Sequence, residues 1–142
     1  MSVAPIARSV EIAAGADRVF PLLVEARSLE RWWPDVAELE PKVGGAVRMV
    51  FRGGESVVTG EVTRYEPPRS LAFTWVRGER PKVSTLVELT VTELGGDRCR
   101  VDVVHSGWEA APEWQPMHDR GWAHFLGCLA ALAEGRPFDK SY

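Results

Sequence analysis

The chain has 142 residues, of which 45% are apolar and 26% charged, and its formal net charge is -3. This length suits one globular domain with a substantial core, and the apolar fraction is too high for a disordered chain. The mixed charges exclude the basic stripe that nucleic acid requires, and no apolar run approaches the roughly 20 residues that span a bilayer. We therefore expect one domain over residues 1–142, with neither nucleic acid nor a membrane as a partner.

The first residues, MSVAPIARSVEI, lack the apolar segment of a signal peptide, which predicts a cytoplasmic protein. The sequence has two cysteines, Cys99 and Cys128, which are too few and too far apart for a disulfide framework. Its three histidines fall on separate predicted elements without a supporting cysteine or acidic cluster. We expect reduced thiols, no metal and no cofactor.

The first 34 residues predict one strand and two short helices. Residues 6–12 alternate apolar with polar side chains, as an edge strand does, and residues 16–23 have helical spacing that Pro21 keeps short. Ser28 is the expected N-cap of the second helix. This helix should end at Trp32-Trp33-Pro34, because a residue before proline is disfavoured in a helix.

From about Glu38 to Ser106 the pattern changes to period two, as in an antiparallel meander. The predicted strands are AVRMVFR, SVVTGEVTRYE, SLAFTWV, KVSTLVELTVTE and DRCRVDVVHS. The predicted turns are Gly44-Gly45, Gly53-Gly54, Pro67-Pro68, Gly78 with Pro81, and Gly95-Gly96-Asp97. The expected inward-facing positions are Val47, Met49, Phe51, Val58, Gly60, Val62, Leu71, Phe73, Trp75, Val87, Leu89, Val91, Cys99, Val101 and Val103.

Residues 113–134 are predicted to form a long helix, with Gly135 as its C-terminal stop. At ~1.5 Å per residue this helix is about 30 Å long, enough to cross the concave face of a sheet. Its expected apolar stripe consists of Trp114, Met117, Trp122, Phe125, Leu126, Leu129 and Leu132. The element order is therefore β, α, α, about six strands and a long α, an α+β fold in which a curved antiparallel sheet encloses a helix.

Six tryptophans and five phenylalanines are more than a helix lying flat on a sheet requires. Large aromatic side chains are expected where a bent sheet leaves space beneath a helix, and that space predicts a cavity. The alternative is that the same aromatics pack a solid core. The residues alone leave both interpretations open.

Several short motifs, in this order and spacing, resemble the helix-grip (SRPBCC/START-like) superfamily, which includes START lipid-transfer domains, the birch pollen allergen and polyketide cyclases. In particular, the chain resembles bacterial single-domain relatives of the C-terminal domain of the heat-shock-protein-90 ATPase activator. The resemblance implies a helix-grip fold with a cavity between sheet and helix. The motifs are Trp32-Trp33-Pro34, Val43-Gly44-Gly45, Gly60-Glu61-Val62, Pro67-Pro68-Arg69, Leu71-Ala72-Phe73-Thr74-Trp75, His105-Ser106-Gly107-Trp108 and Gly121-Trp122.

The relatives include ligand carriers, cyclases, hydrolases and co-chaperones, so the fold alone does not give the activity. The chain lacks the separate N-terminal domain with which the eukaryotic activator holds its chaperone, and we do not expect a chaperone as partner. A homodimer is left open.

The candidate ligand-binding residues are the aromatic side chains of the expected inner face and two histidines. His105 shares the parity of Val101 and Val103, and His118 precedes Trp122 by one helical turn. Either imidazole could orient a ligand or act as an acid or base; alternatively, His105 is structural and His118 is exposed. The full set is Trp32, Trp33, Phe51, Phe73, Trp75, His105, Trp108, His118 and Trp122.

Four further polar residues lie on or near the predicted strands: Glu61, Arg64, Tyr65 and Arg77. Glu61 is expected to face solvent by alternation. Arg64, Tyr65 and Arg77 lie near strand ends, where cavity mouths open. They could orient an anionic head group, although surface charge is the commoner role.

No nucleophile elbow, zinc signature, phosphate loop or dinucleotide fingerprint occurs in the sequence. The favoured hypothesis is therefore a binding protein, without catalysis, for a small hydrophobic or aromatic molecule. The second is a cyclase- or hydrolase-type enzyme that uses His105 or His118. The third is an interaction module that binds a chaperone or a second copy of itself through an exposed apolar patch.

Overall fold

The computed structural model describes residues 3–78 and 82–142, and its main element is a seven-stranded antiparallel sheet. The strand order is β1-β7-β6-β5-β4-β3-β2. Strands β2 to β7 each pair with the next strand along the chain, and β1 pairs with β7 at one edge. The strands are β1 (Ile6–Ile12), β2 (Val36–Leu39), β3 (Ala46–Phe51), β4 (Ser56–Glu66), β5 (Ser70–Arg77), β6 (Val83–Glu93) and β7 (Cys99–Ser106).

The predicted alternation is confirmed along the central strands. In β6, Val87, Leu89 and Val91 are buried on the concave face, and in β5 Phe73 and Trp75 are buried on the same face. Period-two patterns place alternate side chains on one face, so the core lies in the concavity.

The sheet bends where β4 pairs with β5. A Cβ atom at Gly60 would overlap the carbonyl oxygen of Thr74, so only glycine permits this close approach of the two backbones. The pairing register then shifts between Val62 and Arg64, as at a β-bulge. Glu61 is exposed, as expected from its parity. A bulge of this kind bends the strand and increases its local twist, which adds to the curvature of the sheet.

Within the described residues three α-helices complete the fold, and their limits correct parts of the sequence prediction. They are α1 (Ala16–Val24), α2 (Ala26–Trp32) and α3 (Gln115–Glu134). Ser28 is not the N-cap of α2. Glu25, in an extended conformation, is the single residue between α1 and α2, so α2 starts two residues before Ser28.

Two other boundaries differ from prediction. Strand β2 begins at Val36, before the predicted start of the strand region, and it pairs with β3. Residues 112–114 form a 3₁₀ turn instead of the first turn of α3, which starts at Gln115. Pro81, one of the predicted turn residues, lies outside the described residues.

Helix α3 crosses the concave face and ends as predicted at Gly135, whose φ of 72° lies in the left-handed region that glycine favours. Four residues of the predicted apolar stripe are buried: Trp122, Phe125, Leu126 and Leu129. The other three are partly exposed: Trp114, Met117 and Leu132. The C-terminal half of α3 packs closely against the core, and the N-terminal half stands over the bent end of the sheet.

No helix within residues 3–78 and 82–142 is both long enough and apolar enough to cross a membrane.

Candidate ligand-binding site

A cavity of about 70 Å³ lies between the bent end of the sheet and the N-terminal half of α3. A second space of about 300 Å³ adjoins it, and the two share five wall residues. Ligand pockets usually enclose about 300 to 1,000 Å³, so the outer space has the volume for a ring-bearing molecule and the inner cavity accepts only part of one. The shared wall residues are Trp33, Phe51, Arg52, Phe125 and Tyr142.

Trp33 is the central aromatic residue of the wall. Its ring stacks on that of Trp75 at a centroid distance of 5.3 Å and an angle of 6°, and it lies 4.8 Å from the ring of Trp122. Trp33 follows α2 and precedes Pro34, so the chain leaves the helix here and turns this indole into the concavity. Trp32 points elsewhere, and its Nε1 donates to the carbonyl oxygen of Leu22 at 2.9 Å.

The segment after α3 folds back and covers the outer space. Lys140 Nζ donates hydrogen bonds to the carbonyl oxygens of Glu30 (2.6 Å) and Pro34 (3.0 Å), which fixes the segment to the end of α2. The ring of Tyr142 lies 5.7 Å from that of Phe125 on α3. Tyr142 therefore forms part of the wall of both spaces.

His105 lies in the core behind the cavity and is fully buried. Its Nδ1 accepts a hydrogen bond from Trp122 Nε1 (3.0 Å), and an indole nitrogen can only donate, so the proton of the neutral imidazole is on Nε2. That Nε2 lies 2.7 Å from Thr85 Oγ1, which donates in turn to the carbonyl oxygen of Trp75. Burial, together with the nearby His118, lowers the pKa of His105 to about 2. His105 is a neutral structural residue with both nitrogens occupied.

His118 lies in the cavity wall, on the first turns of α3. Its Nδ1 donates to the carbonyl oxygen of Trp114 (2.8 Å), so its Nε2 carries the lone pair and accepts from Arg77 Nη1 at 3.2 Å. Burial, together with the positive charge of Arg77, lowers the pKa of His118 to about 4. Among the described residues no carboxylate bonds to His118 or His105, and the lone pair of each imidazole is already occupied, which disfavours acid–base catalysis by either group.

Arg77 closes the cavity at the end of β5 and is half-buried. Besides His118, its guanidinium donates to Ser56 Oγ at 2.8 Å and lies 5.3 Å from the centre of the Trp114 ring. All three partners are uncharged. Burial lowers the pKa of Arg77 from its usual value, and the positive charge of Arg52 adds to the effect.

Trp75 has a buried indole N–H without a hydrogen-bond partner. Its Nε1 is the one such side-chain nitrogen or oxygen within residues 3–78 and 82–142. Buried donors are nearly always paired, and an exception in a cavity wall marks a place where an acceptor fits.

The structure places five of the nine predicted binding residues in the cavity wall: Trp33, Phe51, Trp75, His118 and Trp122. Their contact with a ligand stays a prediction. The other four, Trp32, Phe73, His105 and Trp108, are fully buried and do not line the cavity. They share the inner face with the lining residues, but they sit in the closely packed part of the core.

The nine binding residues predicted from the sequence omit several wall residues. Arg77 is predicted only near a cavity mouth, although its parity with Trp75 places it on the inner face. Phe125 is predicted only as part of the apolar stripe of α3, and Gly121 follows His118 at helical spacing, so both could have been assigned to the site. Arg52 and Tyr142 had no such signal, because a turn and a folded-back segment bring them to the cavity.

Among the described residues, no group of three or more histidine, cysteine, aspartate or glutamate side chains converges to hold a metal ion.

A curved antiparallel sheet around a long C-terminal helix, with a cavity between them, defines a helix-grip protein of the SRPBCC class. The chain belongs to the family described as activator of Hsp90 ATPase homolog 1-like protein, whose model matches residues 13–134. This finding confirms the resemblance inferred from the motifs.

Solved structures with low sequence identity share the fold. The crystal structure of CalU16 from Micromonospora echinospora is 23% identical, with 91% of this chain and 75% of that chain covered and a TM-score of 0.75. Protein MLL2253 from Mesorhizobium loti is 21% identical (93% and 99% covered, TM-score 0.81). The Aha1 dimer from Colwellia psychrerythraea is 20% identical (93% and 97% covered, TM-score 0.79). No curated protein matches the chain.

Proposed function

We propose that this protein binds a small hydrophobic or aromatic ligand between α3 and the sheet, without catalysing a reaction. The observation that carries the proposal is the aromatic wall shared by the inner cavity and the outer space, in which Trp33 stacks on Trp75. Aromatic faces at this spacing accept a further flat ring by stacking or edge contact. The hydrogen bonds that occupy His105 and His118 favour binding over the cyclase or hydrolase alternative.

The proposed position of the ligand follows from the two volumes. A ring-bearing molecule occupies the outer space of about 300 Å³ and extends one end into the inner cavity of about 70 Å³. Tyr142 lies in the walls of both spaces, so its ring would contact a ligand that occupies both.

Two glycines of α3 provide a matched test. Gly121 lines the cavity, and a Cβ atom added there would meet only Tyr142, at 3.8 Å. Gly127 is exposed on the same helix, with nothing near an added Cβ atom. Both Gly→Leu changes improve helix propensity, so the two variants differ in whether they fill the cavity.

The probe is the uncharged aromatic 2-naphthamide, titrated by calorimetry and by tryptophan fluorescence. We expect saturable binding to the unmodified protein and to Gly127→Leu, and at least a tenfold loss in Gly121→Leu. Equal binding by the two variants would place the ligand elsewhere, and no binding to the unmodified protein, by this probe or a broad apolar library, would contradict the proposed function.

A second candidate function is self-association through the outer face of the sheet. Val36, Val50 and Val57 are register partners across β2, β3 and β4, and Val36 and Val57 are 43% and 42% exposed. One structurally similar protein is described as a dimer. Sedimentation velocity should show a dimer that Val57→Lys disrupts, whereas a monomer at all accessible concentrations would exclude this function. That a chaperone is not the partner stays a prediction.

A further inference from the structure

Arg77 is held in the cavity wall before any ligand arrives. Its Nη1 is fixed by His118 Nε2, its Nη2 by Ser56 Oγ, and its planar group lies over Trp114. The three partner residues belong to α3, β4 and the 3₁₀ turn before α3, so the guanidinium is restrained by three separate elements. A restrained guanidinium loses little conformational entropy on binding and presents its remaining N–H groups in a fixed geometry.

The charge of Arg77 is not balanced locally. The guanidinium pairs with no carboxylate of the described residues. The one charged group that shifts the pKa of Arg77 is another cation, Arg52. Asp119, the acidic residue next to His118, forms its ion pair with Arg8 at 2.8 Å instead. Arg77 and Arg52 both line the inner cavity, whose described wall residues include no aspartate or glutamate, whereas Asp35 lines only the outer space. Two cations that face the inner cavity favour the binding of an oxyanion there.

Arg52 reaches the cavity through an unusual backbone conformation. Its φ is 52°, in the left-handed region that residues other than glycine, asparagine and aspartate rarely adopt, and Gly53 and Gly54 follow it at 66° and 101°. Strained conformations of this kind cluster at functional sites. The turn brings the Arg52 side chain to the boundary of the inner cavity and the outer space.

Trp75 supplies a third donor in the wall of the inner cavity. It stands two residues before Arg77 on β5, so both side chains project from the concave face, and both line the inner cavity. Its buried Nε1 lacks a partner, whereas the Nε1 atoms of Trp32, Trp108 and Trp122 each have one.

On the basis of the proposed ligand-binding function, we propose that the natural ligand carries an oxyanion, such as a carboxylate, on its aromatic or apolar body. Arg77 and Arg52 bind the oxyanion in the inner cavity, and Trp75 Nε1 donates a further hydrogen bond to it. The aromatic body lies in the outer space against Trp33. His118 acts as a positioning residue that keeps Arg77 in place.

Two probes of the same shape separate this inference from the proposed function. 2-Naphthoate carries a carboxylate where 2-naphthamide carries a neutral amide, and both are titrated calorimetrically against the full chain at pH 7.5. We expect 2-naphthoate to bind at least tenfold more tightly. In Arg77→Met this preference should fall to less than threefold, because methionine preserves the packing over Trp114 and removes the charge. Arg77→Gln provides a second neutral variant if the first folds poorly.

The control is Arg98→Met, which changes the net charge equally at an exposed site paired with Glu11. It should retain the full preference for 2-naphthoate. Equal binding of the two probes to the unmodified protein, or a preference that survives both Arg77 variants, would overturn the anion site and leave the proposed function intact. Failure of both probes to bind would contradict both proposals.

Discussion

The concave face contains two regions, around His105 and around Arg77, that differ in how their buried polar groups are paired. Both ring nitrogens and the carbonyl oxygen of His105 have side-chain partners, since Trp122 and Thr85 bond to the ring and Trp108 donates to the carbonyl oxygen. Within the described residues the partners of Arg77 are uncharged, and Trp75 Nε1, in the same cavity wall, has no partner. Paired buried groups stabilise a fold, and unpaired ones lower its stability unless a ligand satisfies them. The region around His105 therefore supports the fold, and the region around Arg77 is suited to binding.

The largest expected effect comes from removing the imidazole of His105, which lies at the centre of the first region. His105→Leu keeps a side chain of similar size but leaves the N–H of Trp122 and the hydroxyl of Thr85 with one partner fewer. We expect the free energy of unfolding to fall by about 3 kcal/mol, as for a broken buried network. Urea denaturation checks this. A loss below about 1 kcal/mol would show that the hydrogen bonds of the His105 imidazole contribute little to stability.

The second prediction concerns the pH dependence of stability. The folded protein keeps His105 and His118 neutral down to pKa values of about 2 and about 4, whereas the unfolded chain protonates both near pH 6.5. The unfolded state thus binds more protons below pH 6.5, so stability is complete above that pH and falls as the pH decreases.

The size of this effect is set by one proton for each histidine. Each contributes a slope approaching about 1.4 kcal/mol per pH unit, or about 2 kcal/mol between pH 7 and pH 5. In His118→Gln, one of the two contributions is absent, so the loss of stability over that interval should be smaller by about 2 kcal/mol. Parallel pH profiles for the two proteins would show that His118 is not held neutral.

Much of the fold was predictable from the sequence because it depends on local patterns. Alternation identified the inner face of five strands, and Gly135 marked the end of α3. The limits of α2 were not predictable, because Ser28 has the chemistry of an N-cap but the chain becomes helical earlier.

The site was predictable only in part. Parity assigned Phe73 and Trp75 to the same face, but it cannot show that Trp75 lines the cavity and that Phe73 is fully packed in the core. Tyr142 reaches the cavity through tertiary contacts of the segment after α3 that no local pattern encodes.

The third prediction tests whether His118 acts through Arg77. His118→Leu removes the acceptor of the Arg77 Nη1 hydrogen bond, whereas the side-chain oxygen of His118→Gln can still accept it. We expect the preference for 2-naphthoate over 2-naphthamide to fall about tenfold in the leucine variant and by less than threefold in the glutamine variant. Equal preferences in the two variants would limit His118 to a packing role.

The smallest effect on stability is expected at Trp75, and it distinguishes the two regions most directly. Trp75→Phe removes an N–H that has no partner, and Trp108→Phe removes one that donates to the carbonyl oxygen of His105 at 2.8 Å. The first should change the free energy of unfolding by less than about 1 kcal/mol, because the lost ring contacts are offset by the loss of an unpaired donor.

The Trp108 variant should lose about 2 kcal/mol, since it leaves a buried carbonyl oxygen without that donor. Binding should respond in the reverse order: 2-naphthoate affinity falls about threefold in Trp75→Phe and is unchanged in Trp108→Phe, which does not line the cavity. Denaturation and calorimetry on the same two variants measure both quantities. If Trp75→Phe instead destabilised the protein as much as Trp108→Phe, the indole N–H of Trp75 would have a partner in solution. The distinction between the region around His105 and the region around Arg77 would then not hold at Trp75.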